Sequence, residues 1–137
     1  MKTLLRLEEL AQFLFVLAVL IIWQQALGFP WWIYLLLLLG PDISMLGYLV
    51  SSPVGAVAYN LFHHKGVALI FIAAGMASIL SEPFMRGSDM ENHLILTGLI
   101  LYGHASLDRI FGYGLKFGDS FHHTHLGWIG KNKGQGQ

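Results

Sequence analysis

Ile100-Leu101-Tyr102-Gly103-His104-Ala105-Ser106-Leu107-Asp108-Arg109 sets ionisable side chains into an otherwise apolar run. His104 and Asp108 are four residues apart, so on a helix they stand on one face, one turn from each other. Going back along the segment, Thr97 and His93 fall on that face too, within roughly 60° at about 100° per residue. An apolar helix with one narrow polar stripe does not turn that stripe toward lipid. It faces other helices, and what those helices bring decides the chemistry.

Composition points the same way. Of 137 residues, 55% are hydrophobic and 12% charged, about half the charged share of a soluble domain. The length suits a single domain. Formal charge is zero, and the cations form no stripe with interleaved aromatics, which excludes nucleic acid as a partner. Without cysteine there are no disulfides, thiolate nucleophiles or thiolate-ligated clusters. Histidine is over-represented, with seven in the chain. Lys2 and Arg6 give the first segment the look of a signal peptide. Glu8, Glu9 and Gln12 interrupt its apolar core, and a second hydrophobic run follows Gly28 at once, so it is read as a retained span.

Four stretches are long enough to cross a bilayer, at about 10–27, 33–50, 54–80 and 93–111. Gly28-Phe29-Pro30 is a tight turn, followed by the interfacial aromatics Trp31 and Trp32. Within the second span Pro41 frees a backbone carbonyl and Asp42 follows it directly. Ser51-Ser52-Pro53 is a turn with Pro53 set for a first helical turn. The third span carries Asn60, His63 and His64, then the small residues Ala73, Ala74, Gly75, Ala77 and Ser78, which suit close helix contact. Residues 81–92 read as a polar loop. After the fourth span comes a Gly- and His-rich tail, expected to fold back over a cavity mouth and to be disordered over 131–137. The expected architecture is an all-α, integral membrane four-helix antiparallel bundle occupying 1–130.

An antiparallel bundle puts Lys2, Arg6, Arg109, Lys116, Lys131 and Lys133 on one side and only Arg86, with Glu82, Asp89 and Glu91, on the other. By the positive-inside rule the first side, with both termini, is cytoplasmic. At 1.5 Å rise per residue, Asp42 and His104 lie roughly 12 Å from the cytoplasmic ends of their spans, and His63 roughly 15 Å. Asp108 is one turn shallower, and Glu8 enters at the cytoplasmic mouth. Residues distant in sequence therefore share one layer of the inner leaflet.

Ionisable residues inside a membrane are paired, hydrated or functional. Two carboxylates with imidazoles at one depth suit a divalent ion such as Zn²⁺, Fe²⁺ or Mn²⁺, and the lack of thiolate disfavours Cu(I). A proton or cation pathway and a polar network tying helices together are the other readings. Heme between two histidines is a further one. His63 and His64 leave a helix about 100° apart, and spacing alone does not say which faces inward. Phe121-His122-His123-Thr124-His125 has metal-like spacing but equally suits a solvated tail. Arg109, consecutive with Asp108, points away from it and is expected to reach lipid phosphate or the tail.

Leu7-Glu8, Pro41-Asp42 to Tyr48, Gly55 to His63 with Tyr59-Asn60, His104 to Arg109, Gly112 to Lys116 with Tyr113, and Thr124-His125-Leu-Gly127 together resemble the signature blocks of a family of small bacterial membrane proteins, domain of unknown function 4260. The resemblance implies a four-helix fold in a bacterial inner membrane and singles out His63 over His64. It implies no activity. A weaker likeness is to membrane-bound metal-dependent hydrolases with a Pro-Asp-Ile-Asp block and a later Thr-His. Here Ser44 replaces the second Asp, so that ligand does not carry over.

The expectation is a membrane-embedded metal-dependent enzyme, a hydrolase or oxidoreductase, acting on a lipid-like or amphiphilic substrate. Asp42, His63, His104 and Asp108 are its metal ligands, and Glu8 or His125 its acid/base. Asn60, Tyr59, His64, Tyr113 and Thr124 support ligands or substrate, while Arg109 and Lys116 hold an anionic head group. A transporter or channel, a heme protein and a structural subunit are the alternatives, and the oligomeric state is left open.

Overall fold

The computed structural model describes residues 1–81 and 89–130. The expected 131–137 tail, with Lys131 and Lys133, and the centre of the 81–92 loop, with Glu82 and Arg86, lie outside the described residues. Helix α1 spans Lys2–Leu27 and ends on Gly28, whose φ of 70° is the left-handed conformation that terminates a helix most cheaply at glycine. Helix α2 spans Ile33–Leu39. A 3-10 segment, Pro41–Leu49, follows it. Helix α3 covers Ser52–His63, α4 Lys65–Ser81 and α5 Asp89–Phe111. The tail adds a two-stranded antiparallel hairpin, β1 (His123–Thr124) with β2 (Gly127–Trp128), in which Thr124 faces Gly127.

Two expected spans are not single α-helices. The second is cut at Pro41, whose missing N–H and ring end α2 and leave a 3-10 segment behind. The third is bent by 45° between α3 and α4. There His64 leaves the helix in an extended conformation, and its Nδ1 accepts the Gly66 N–H at 3.0 Å, capping α4. The start of α3 is as the sequence indicates: Ser51 Oγ accepts the Val54 N–H, with Pro53 in the first turn. Residues 89–92, expected in a loop, open α5 instead.

Two helices, α1 and α5, are long and apolar enough to cross a membrane, and the bent pair α3–α4 passes the same test together. Helix α5 is the hub, packed against α1, α2, α3 and α4. Val16 and Leu20 of α1, Ile33 and Leu37 of α2, and Ile95, Leu96, Leu99 and Ile100 of α5 form a continuous apolar core. On the outside, Leu14, Phe15, Ile22, Leu39, Leu61 and Ile70 stand exposed, a distribution that water disfavours and lipid does not. The small residues of α4 act at one point. A Cβ at Gly75 would lie 2.7 Å from the Glu91 carbonyl oxygen, so glycine sets this close approach. Ala73, Ala74 and Ala77 face outward.

Candidate metal centre

Asp42, His63, His104 and Asp108 come together: one ligand atom from each lies within 4.8 Å of every other. Three features of local folding put them there. Helical spacing stacks His104 and Asp108 on α5. Pro41 has no N–H to give the Leu37 carbonyl four residues before it, and His104 Nδ1–H takes that carbonyl at 2.9 Å. The break at His64 leaves His63 at the end of α3, its Nδ1–H donating to the Tyr59 carbonyl at 2.8 Å.

A carbonyl only accepts, so these two bonds put a proton on Nδ1 of both rings and turn Nε2 inward. What the Nε2 atoms face is carboxylate oxygen. His104 Nε2 lies 3.3 Å from Asp42 Oδ1 and 3.8 Å from Asp108 Oδ1. His63 Nε2 lies 3.6 Å from Asp42 Oδ1 and 3.4 Å from Asp108 Oδ2. Charge-assisted N–H···O bonds are shorter, about 2.7–2.9 Å. Ligands about 2.0–2.2 Å from one ion in a tetrahedron stand about 3.3–3.6 Å apart, a range that holds three of these four separations. Both rings are almost fully buried, and His63 Nε2 has no hydrogen-bond partner among the described residues.

The surroundings hold these side chains in place. The Tyr59 hydroxyl donates to Asp108 Oδ2, and its ring stacks on His63 at 3.7 Å between centroids. Asn60 holds the tail: its Oδ1 accepts the Lys116 N–H at 2.6 Å and its Nδ2 donates to the Lys116 carbonyl at 2.8 Å. The tail thus folds back, as expected, and with Asp42, Met45, Tyr59 and Asp108 it encloses a cavity of about 300 Å³ through Tyr113, Lys116 and Phe121. Burial holds the Lys116 ammonium below the ordinary lysine range, with Asp108 and Asp42 pulling it partly back up.

Other expected site residues sit elsewhere. Glu8 is exposed and lines an apolar groove with Phe15, Leu69 and Leu99, because it lies off the face of α1 that carries Val16 and Leu20. His125 is exposed and its Nδ1 accepts the Leu115 N–H at 2.8 Å, so it fixes the tail instead of facing the cluster. Thr124 Oγ1 donates to the Gly127 carbonyl at 2.8 Å and closes the hairpin. His64 is a helix cap. Arg109 pairs with Glu9, at 3.6 Å, and lines a cavity shared with the tail hairpin. His93 and Thr97 keep the predicted alignment but stand exposed. Ser44 is buried and outside the cavity lining.

The sequence reading missed a second polar cluster. Lys65 donates to Glu9 and Gln12, and the Tyr102 hydroxyl donates to Gln12 Oε1 at 2.8 Å. Glu9 and Gln12 share the helical face of Val16 and Leu20, so the periodicity of α1 already favours Glu9 over Glu8 as the inward acid.

A family model described as Domain of unknown function (DUF4260) matches residues 2–129, and the chain belongs to that family. No curated protein and no solved structure matches it.

Proposed function

We propose that this member of the family is a membrane-embedded metalloprotein, and that the metal serves an enzyme acting on an amphiphilic substrate. The observation that carries this is the convergence of two imidazole Nε2 atoms and two carboxylates in one cluster, with His63 Nε2 buried and without a hydrogen-bond partner among the described residues. Two carboxylates held this close repel each other unless a cation sits among them. Imidazole with carboxylate suits Zn²⁺, Fe²⁺ or Mn²⁺. Tyr59, the Leu37 carbonyl and the Tyr59 carbonyl are the outer partners that fix ligand orientation in such centres. A divalent ion there supplies Lewis acidity for hydrolysis, or electrons if it is a redox metal.

Topology gives the substrate its side. The N-terminal turn of α1, the C-terminal end of α5 and the hairpin line one shared cavity, so they lie at one end of the molecule. With Lys2, Arg6 and Arg109 there, the positive-inside rule makes that end cytoplasmic in an inner membrane. The chain then crosses as a four-segment bundle with two of its segments broken. The cavity opens near that end, within reach of lipids of the inner leaflet.

The apolar core of Val16, Leu20, Ile33, Leu37, Ile95 and Leu99 favours an enzyme over a transporter. Among the described residues it separates the cluster from Gln24, which is itself tied to the Tyr34 hydroxyl at 2.6 Å. The His63 and His104 rings meet edge-on at 4.9 Å between centroids, too close for a macrocycle between them, which disfavours this pair as heme ligands. The test is elemental analysis of detergent-purified protein beside a variant carrying Asp42→Ala and His104→Ala. About one metal per chain in the wild type and almost none in the variant is expected. Equal, substoichiometric metal in both ends the metalloprotein reading.

A further inference from the structure

The Lys116 side chain is 4% exposed, yet its Nζ has no hydrogen-bond partner and no ion pair among the described residues. It stands over three aromatic rings, 4.0 Å from the centroid of Phe121, 4.9 Å from Tyr59 and 5.5 Å from Tyr113. Ring faces stabilise the charge but accept none of its three N–H bonds well, and a buried ammonium without acceptors is costly. The two carboxylates of the same cavity make no hydrogen bond or ion pair to it: Asp42 Oδ1 and both Asp108 oxygens lie against the imidazoles and Tyr59. Nor can the lysine back away easily. Asn60 grips its backbone from both sides, and it bridges to Thr124 in the tail.

We infer that Lys116 is an oxyanion receptor, and that the substrate or product of this site carries a phosphate or carboxylate group that enters the cavity beside the metal cluster. This rests on the metalloprotein reading, since only a bound cation makes a cavity floored by Asp42 and Asp108 hospitable to an anion. A volume of about 300 Å³ holds a head group and not a lipid. Met45 and Tyr113, both partly exposed where they line the cavity, offer an apolar edge along which a chain attached to that group would leave. Arg109 is already engaged by Glu9, which leaves Lys116 as the cation facing this space.

The experiment uses the full chain in detergent, with metal content measured on the same sample. Inorganic phosphate, octyl phosphate and octanoate are titrated calorimetrically into wild type, Lys116→Met and Lys116→Arg. Saturable binding of at least one anion by the wild type is expected. It should weaken at least about thirtyfold in Lys116→Met, with metal content and helical circular dichroism unchanged, and recover in part in Lys116→Arg. A preference for the octyl compounds identifies an amphiphile, and equal binding of free phosphate identifies a soluble oxyanion; both support the receptor. No saturable binding by metal-loaded wild type, or undiminished binding by a folded Lys116→Met variant, overturns it. A folded wild type without metal overturns the centre, and this inference with it.

Discussion

Helix α5 divides two polar clusters that answer the same problem in opposite ways. Tyr102 and Arg109 point to one side of it, His104 and Asp108 to another, roughly 100–160° around at about 100° per residue. On the first side, between α1 and α4, donors meet acceptors: Lys65 binds Glu9 and Gln12, Tyr102 binds Gln12, and Arg109 pairs with Glu9. On the second, between the 3-10 segment and α3, the Tyr59 hydroxyl donates to Asp108, His104 Nε2 meets Asp42 only at 3.3 Å, and the buried His63 Nε2 has no hydrogen-bond partner among the described residues. A polar cluster that satisfies itself ties helices together, whereas one left partly unsatisfied is a candidate site. The cost of burying polar groups is common to both clusters, so hydrogen-bond balance, and not burial, separates scaffold from site.

Metal removal should break that symmetry most strongly. A chelator is expected to lower the thermal midpoint of the wild type by roughly 5–10 °C, as loss of a tightly bound ligand does, and to leave an Asp42→Ala, His104→Ala variant unmoved. An equal response in both proteins would place the two clusters in the same class. Asp108→Asn keeps the shape and removes the charge, so it should lose metal while remaining folded; unchanged metal content would remove Asp108 from the ligand set.

Tyr59→Phe sharpens the comparison by touching an outer partner alone. Without the hydroxyl that holds Asp108, metal affinity should fall about 10- to 100-fold, read by competition with a chromogenic chelator. On the balanced side, Lys65→Met leaves Glu9 and Gln12 short of a donor and should cost about 1–3 kcal/mol of stability with metal content intact. Metal loss in that variant would show that the clusters are coupled. Glu8→Gln, one residue from Glu9 but exposed, should change neither quantity measurably.

The smallest effect belongs to the tail. His123 Nδ1 lies 2.8 Å from Asp119 Oδ2, and this bond holds the fully exposed Asp119 carboxyl below its ordinary range. A depressed carboxylate stabilises the fold above the ordinary carboxylate value, and that contribution disappears as pH falls through the folded value. Below about pH 4 the hairpin should loosen slightly in the wild type, followed by quenching of Trp128 fluorescence. Asp119→Asn should abolish that pH dependence without altering metal content.

Much of the site was legible because it depends on short-range rules. Four-residue spacing aligned His104 with Asp108, and counting from the ends of the apolar runs brought Asp42 and His63 to the same depth. Pro41 announced a freed carbonyl, although not that His104 would claim it. What helical spacing by itself left undecided were choices between neighbours. His63 and His64 differ by one backbone conformation at the α3–α4 break, and no residue there is an obligatory helix breaker. Glu8 and Glu9 differ by 100° on α1, and the family blocks emphasise Glu8 while the buried face of the helix selects Glu9. Asn60 was expected beside a ligand and instead pins the tail, a contact spanning 56 positions.

From the sequence alone came an apolar helical chain with a few ionisable side chains near one end, because hydrophobic run length and helical period are local properties. Only the tertiary structure decided which of those side chains meet, which are already answered, and that Lys116 is carried over the cavity with no hydrogen-bond acceptor among the described residues. Hydrogen-bond balance is a relation among segments far apart in the chain, so it exists only once they are packed.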